Sequence, residues 1–161
     1  MFSDRQIVSL VRGLDVTHVV TVPDSTIGLW DAALVQAGVR LVRVCREGEA
    51  WAVAGGLYLG GARPLVMIQC TGLFESGDSL RNVLHDWQLP IPSIIGFRSY
   101  LNQDTLPGDT CLAFTQPILD AWHIDYRLIT SQDELDLATA HLHRCIQAGK
   151  PGAILVAEGK A

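Results

Sequence analysis

A carboxylate, Glu47, stands where a β-like run, Arg40-Leu41-Val42-Arg43-Val44-Cys45, gives way to a helix rich in small residues: Ala50, Ala52, Ala54, Gly55 and Gly56. In open α/β sheets that strand-end rim is where ligands bind. On spacing alone Glu47 has two uses: complementing the helix dipole from the first turn, or reaching a ligand at the rim. Other polar residues fall at equivalent places. Ser25 closes Val22-Pro23-Asp24-Ser25 behind the first strand, where a turn with Asp24 or Ser25 capping the next helix competes with ligand contact. Gln69, Cys70 and Thr71 leave the third strand, and Gly72 permits close backbone approach. Gln69 either satisfies loop backbone or hydrogen-bonds a ligand, and Cys70 reads as a small hydrophobe. Arg98 follows the fourth strand, with a guanidinium suited to a carboxylate, phosphonate or sulfonate or to a partner subunit.

The elements that must position these residues alternate regularly. Short β-branched runs mark strands at His18–Val22, Arg40–Cys45, Pro64–Gln69, Pro92–Phe97, Tyr126–Ile129 and Ala153–Ala157. Several are Val/Ile-rich on both faces, as buried parallel strands are. Helical periodicity covers Asp4–Gly13, Thr26–Ala37, Gly48–Gly60, Ser76–Trp87, Phe114–Ala121 and Gln132–Gln147. Ser3 or Asp4 can cap the first, and Ser131 with Glu134 has capping-box spacing. Six strands alternating with six helices predict an α/β fold, a mainly parallel six-stranded sheet flanked by helices on both faces. The one long irregular stretch, Arg98–Cys111, is a candidate lid or subunit contact.

The 161 residues fit a single domain spanning 1–161, 48% hydrophobic and 18% charged, with a net charge of −5. Without a basic run, a nucleic-acid partner is not expected. Cys45, Cys70, Cys111 and Cys145 lie far apart with no C-x-x-C pair, which reads as reduced thiols rather than zinc ligands. His141 and His143, two apart on a helix, face different ways. The opening Met1-Phe2-Ser3-Asp4-Arg5-Gln6 lacks signal-peptide character, and no apolar run reaches membrane-spanning length. A cytoplasmic location without membrane association is the expectation. Trp51, Trp87 and Trp122 sit in helical patterns as core or interface anchors.

Three motifs together resemble the pyrimidine-binding domain of thiamine-diphosphate-dependent decarboxylases, the sulfopyruvate and phosphonopyruvate decarboxylases above all. They are Val22-Pro23-Asp24-Ser25, Arg46-Glu47 with Gly56 nine residues on, and Met67-Ile68-Gln69-Cys70-Thr71-Gly72-Leu73. The resemblance covers nearly the whole chain. It implies that Glu47 is the carboxyl that hydrogen-bonds the cofactor's aminopyrimidine ring and promotes its imino tautomer. Such an acid works best in a water-poor place that raises its pKa. Glu49 is the internal rival, but its distance to Gly56 is wrong and it lies about 200° around the helix from Glu47. The resemblance further implies that Ser25 reaches the substrate carboxylate. From their place on the rim, Gln69, Thr71 and Gly72 are expected to join Glu47 in facing the cofactor, and Gln69 and Arg98 to join Ser25 in meeting the substrate.

The chain also departs from its relatives. Where they turn through a short Gly-Asn segment, it reads Gly72-Leu73-Phe74-Glu75-Ser76-Gly77-Asp78-Ser79-Leu80-Arg81-Asn82, an altered loop that leaves the substrate open. The family's diphosphate half needs a Gly-Asp-Gly-type turn and a downstream Asn for magnesium, an ion held jointly by carboxylate and phosphate. Gly77-Asp78 and Gly108-Asp109 are the only Gly-Asp pairs, neither is followed by Gly, and no Asn follows Asn102. The expectation is half an active site: the pyrimidine-binding (alpha) subunit of a two-chain 2-oxoacid decarboxylase. A separate diphosphate-binding (beta) subunit would bring the Mg2+ site, in a hetero-oligomer acting on a small 2-oxoacid. A carboligase subunit using the same cofactor and a non-catalytic partner-binding domain are the alternatives.

Overall fold

Five strand pairings, all parallel, join six strands in the order β2-β1-β3-β4-β6-β5 in the computed structural model, which describes residues 1–159. The strands are β1 (His18–Thr21), β2 (Arg40–Arg43), β3 (Pro64–Gln69), β4 (Pro92–Phe97), β5 (Asp125–Ile129) and β6 (Gly152–Ala157). Because every strand runs the same way, Thr21, Arg43, Gln69, Phe97, Ile129 and Ala157 end on one rim. The chain moves outward to β2 from β1 and the other way to β4 from β3, so the switch point lies between β1 and β3. β3, β4 and β6 are buried almost throughout, which is why they read as unbroken apolar runs.

Helices cover both faces. On one, α1 (Asp4–Gly13) packs against α2 (Asp31–Gln36) and α6 (Leu135–Gln147), burying Ile7, Leu10, Leu34 and Leu142. On the other, α4 (Cys70–Arg81) packs against α3 (Glu47–Leu59) and α5 (Thr110–Ala121), burying Trp51, Leu73, Leu80 and Leu119. Both predicted caps form: Gln6 Oε1 accepts from the Ser3 backbone N–H at 3.0 Å, and Glu134 Oε2 accepts from that of Ser131 at 3.0 Å.

Three predicted boundaries are corrected. The Thr26–Ala37 helix is a 3-10 turn, Ile27–Trp30, followed by the short α2. Asp24 Oδ1 accepts from the N–H groups of Thr26 (2.7 Å) and Ile27 (2.8 Å) and tightens that first turn. The expected loop at Cys70–Glu75 is helical: α4 starts directly after β3, with Gln69 as its extended N-cap residue. A non-helical Gly77 (φ 11, ψ −92) kinks it before a π-helical turn at Asn82–Asp86. α5 begins at Thr110 rather than Phe114, because Asp109 caps it by accepting from Cys111 N–H at 2.9 Å. The irregular stretch from Arg98 is itself clasped, with Ser99 Oγ donating to Asp109 Oδ2 at 2.6 Å.

Candidate active site

Glu47 is the first residue of α3, half-buried at the rim. Its side chain lies over Gly72 in the first turn of α4. A Cβ added to Gly72 would stand 2.5 Å from Glu47 Cδ and Oε1, and nearer still to Cγ. Gly72 is therefore a glycine because a carboxylate occupies the space a side chain would fill. Three contacts hold the two helices in this register. Glu75 Oε2 accepts from the Gly48 N–H at 2.8 Å, and its other oxygen pairs with Arg46 at 2.7 Å. Buried Trp51 donates Nε1–H to Ser76 Oγ at 3.0 Å, and Ser76 donates in turn to the Gly72 carbonyl at 2.6 Å.

The rival acid has other employment. Glu49 is exposed and its Oε2 accepts from Cys45 N–H at 3.0 Å, closing the entry to α3. Of the two first-turn carboxylates, Glu49 caps the chain that enters the helix and Glu47 faces α4 across the rim.

A second group forms nearer the sheet centre. Gln69 Nε2 donates to Thr26 Oγ1 and to Glu158 Oε2, both at 3.3 Å, linking the loop after β1, the end of β3 and the end of β6. Glu158 is 4% exposed and sits over β4 at Gly96, where an added Cβ would lie 2.8 Å from Glu158 Cδ and closer still to Oε1. Burial pushes its carboxyl up to about 7, Asp24 adds to the rise, and Arg98 and the chain's amino terminus oppose it. The sequence reading passed over Glu158. Its one signal was Gly96 within a central strand, which marks close approach by another group.

Arg98 is exposed just beyond β4, and its Nε lies 3.9 Å from Asp109 Oδ2. The Ser99 hydroxyl and the Cys111 N–H hold Asp109 below the usual carboxylate range. Ser25 is exposed in the turn after β1 and its hydroxyl makes no hydrogen bond among the described residues; capping there falls to Asp24. Thr71 is exposed in the first turn of α4, beside Gly72. Cys70 is fully buried in the core against Cys111, whose thiol burial pushes up to about 12. Both Gly-Asp carboxylates have structural partners. Asp78 takes Arg81 at 2.8 Å and Asn82 at 3.1 Å, and Asp109 takes Ser99 and the α5 N-terminus.

Among the described residues one cluster has metal-ligand chemistry, Asp125, His141 and Cys145. The sequence reading missed its i, i+4 His–Cys pair. It lies at the starts of β5 and β6, at the far end of the sheet from the rim. Arg144 donates to Asp125 Oδ2 and to His141 Nδ1, both at 3.0 Å, so a guanidinium already supplies the positive charge there. The tryptophans divide: Trp51 is core, Trp87 is 60% exposed, and Trp122 stacks on His85.

No family model matches the chain. Phosphonopyruvate decarboxylase of Streptomyces viridochromogenes is 31% identical over 143 residues, covering 87% of this chain and 36% of that protein. Sulfopyruvate decarboxylase of Methanosarcina acetivorans is 23% identical over 76% of this chain and 32% of its own length. The chain thus spans about a third of the length of these relatives. In fold it resembles benzoylformate decarboxylase from Polynucleobacter necessarius, with a TM-score of 0.72, 20% identity, and coverage of 97% of this chain and 30% of that one. It also resembles 2-oxoglutarate:ferredoxin oxidoreductase from Magnetococcus marinus, with a TM-score of 0.73, 12% identity, and coverage of 99% and 29%. Sequence and fold together make this chain a thiamine-diphosphate-enzyme domain, related to the decarboxylases of phosphonopyruvate and sulfopyruvate.

Proposed function

We propose that the chain is the pyrimidine-binding subunit of a two-chain, thiamine-diphosphate-dependent 2-oxoacid decarboxylase. Its substrate class is a 3-substituted pyruvate bearing a second acidic group, as in sulfopyruvate or phosphonopyruvate. The observation that carries this reading is the Glu47 carboxyl lying on the Gly72 cradle at the rim. The cofactor, when bound, supplies the electron sink for losing carbon dioxide. Glu47 would hold the proton at the aminopyrimidine, with Gln69, Thr71 and Gly72 lining that side, while Ser25 and Arg98 meet the substrate's acidic groups. The half-exposed state of Glu47 in this chain fits an acid whose water-poor surroundings are completed by a partner. The engagement of Asp78 and Asp109 elsewhere favours a partner chain as the source of the diphosphate and magnesium ligands. The outward face of α3, with exposed Ala52 and Gly56 and nothing within 4 Å of a Cβ at Gly56, gives that partner a flat place to approach.

The test is reconstitution. The purified chain should show negligible thiamine-diphosphate affinity by calorimetry and release no carbon dioxide from sulfopyruvate or phosphonopyruvate. Adding a diphosphate-binding subunit should restore both. Tight, magnesium-dependent binding by this chain alone overturns the half-site reading.

Arg98 gives a substrate test. Losing a charge-assisted hydrogen bond should lower kcat/KM roughly ten- to a hundred-fold. In the reconstituted enzyme, Arg98→Met should cost sulfopyruvate that much and plain pyruvate less. Equal losses, or none, would assign Arg98 to the subunit interface.

A further inference from the structure

Glu158 is a buried carboxyl that the proposed reaction has not yet used. Its neighbours among the described residues come from four elements of the rim. Gly96 of β4 forms the floor, Gln69 of β3 donates to Oε2, Asp24 in the loop after β1 repels it, and Arg98 in the loop after β4 attracts it, as does the amino terminus. Its own backbone is fixed, donating to the Phe97 carbonyl at 3.1 Å and accepting from Leu101 N–H at 3.0 Å. The main chain is thereby held against the end of β4, beside Arg98.

Arg98 and the amino terminus are the two positive neighbours, and Arg98 is the side chain suited to pair with an incoming anion. Its guanidinium is exposed and its 3.9 Å approach to Asp109 is too long for a firm pair. An anion seated on Arg98 cancels one of the positive charges that favour the ionised form, leaving the buried Glu158 carboxyl with Asp24 and the anion as negative neighbours. Two like charges close together favour protonating one of them.

We propose that Glu158 is the proton-linked partner of Arg98 in recognising an acidic oxoacid: when an anionic group of the substrate pairs with Arg98, Glu158 takes up a proton from solvent. The rim thereby admits a dianion without gathering uncompensated negative charge beside Asp24. Glu158 is thus a specificity-determining residue that acts through Arg98. The inference rests on the function proposed above and extends it.

The probe is 3-sulfopropionate, which carries both acidic groups of sulfopyruvate but no 2-oxo group. Its sulfonate does not titrate near neutrality, as a phosphonate would. Its binding to the reconstituted complex is measured by calorimetry at pH 7–8 in buffers of different ionisation enthalpy. With Glu158 titrating near 7 in the free protein, uptake on the order of half a proton per site is expected at pH 7. Glu158→Gln and Arg98→Met should each abolish it. Titration of the chain alone by carbon-13 NMR of its Glu side chains gives a readout that needs neither partner nor substrate. The Glu158 midpoint should fall in Asp24→Asn and rise in Arg98→Met. Binding without proton uptake, uptake unchanged in Glu158→Gln, or a midpoint indifferent to both neighbours overturns the inference while leaving the proposed function standing. So does failure of the probe to bind a complex that decarboxylates sulfopyruvate. A complex that neither binds nor turns over any 2-oxoacid overturns the proposed function, and the inference falls with it.

Discussion

Glu47→Gln in the reconstituted complex should slow exchange of the cofactor's thiazolium proton, and carbon dioxide release with it, by about 10²–10⁴-fold, the usual contribution of a positioned proton-transfer group. The amide keeps the size and the place over Gly72 but holds no exchangeable carboxyl proton, so assembly and cofactor affinity should change little. Glu49→Gln is the control. That carboxyl accepts one backbone hydrogen bond from Cys45; the glutamine amide oxygen can still accept it, so the variant loses only a first-turn charge, worth about 0.3–1 kcal/mol. Turnover should stay within a few-fold of wild type by the same reasoning, since a cap takes no part in proton transfer. Exchange at the wild-type rate in Glu47→Gln would remove Glu47 from the relay role. A Glu49→Gln variant with the larger loss would reverse the assignment of the two carboxylates.

Two of the three strands with unbroken apolar runs were legible in the sequence to the residue. Pro64–Gln69 and Pro92–Phe97 form as read, because burial on both faces leaves no polar alternation to blur their ends. Where polar and small residues decided a boundary, the reading slipped. Cys70-Thr71-Gly72 fell outside the predicted helix, which began only at Ser76, yet α4 starts there. The glycine answers a tertiary demand, room for Glu47, that no local pattern encodes. Glu49 and Glu47 were separable by spacing to Gly56, and the Cys45–Glu49 hydrogen bond adds an independent reason for the same choice. Glu158 was not legible from its neighbourhood, a lone acid between Ala157 and Gly159. It gains meaning only because the strand order sets β6 beside β4 and brings Glu158 over Gly96, within reach of Gln69.

Gly72→Ala is expected to leave the fold standing and the relay impaired. Alanine is up to about 1 kcal/mol better than glycine within a helix, and Gly72 has no left-handed backbone to defend. The three atoms nearest the new methyl all belong to the Glu47 side chain, a flexible group that can move aside. The melting temperature should therefore stay at or slightly above that of wild type. Moving aside displaces the Glu47 carboxyl by the width of a methyl group, and a misplacement of about 1 Å can cost on the order of 10²-fold in rate. Thiazolium proton exchange in the reconstituted Gly72→Ala complex should fall by that factor. A double-mutant cycle decides whether Glu47 is the route. If Gly72 acts only by giving Glu47 its place, adding Gly72→Ala to Glu47→Gln should cost almost nothing more, because both changes disable one group. If the same factor is lost again in the Glu47→Gln background, Gly72 serves the cofactor directly and the cradle argument fails. An alanine variant with wild-type exchange would show that Glu47 does its work from a different position than the one it holds over Gly72.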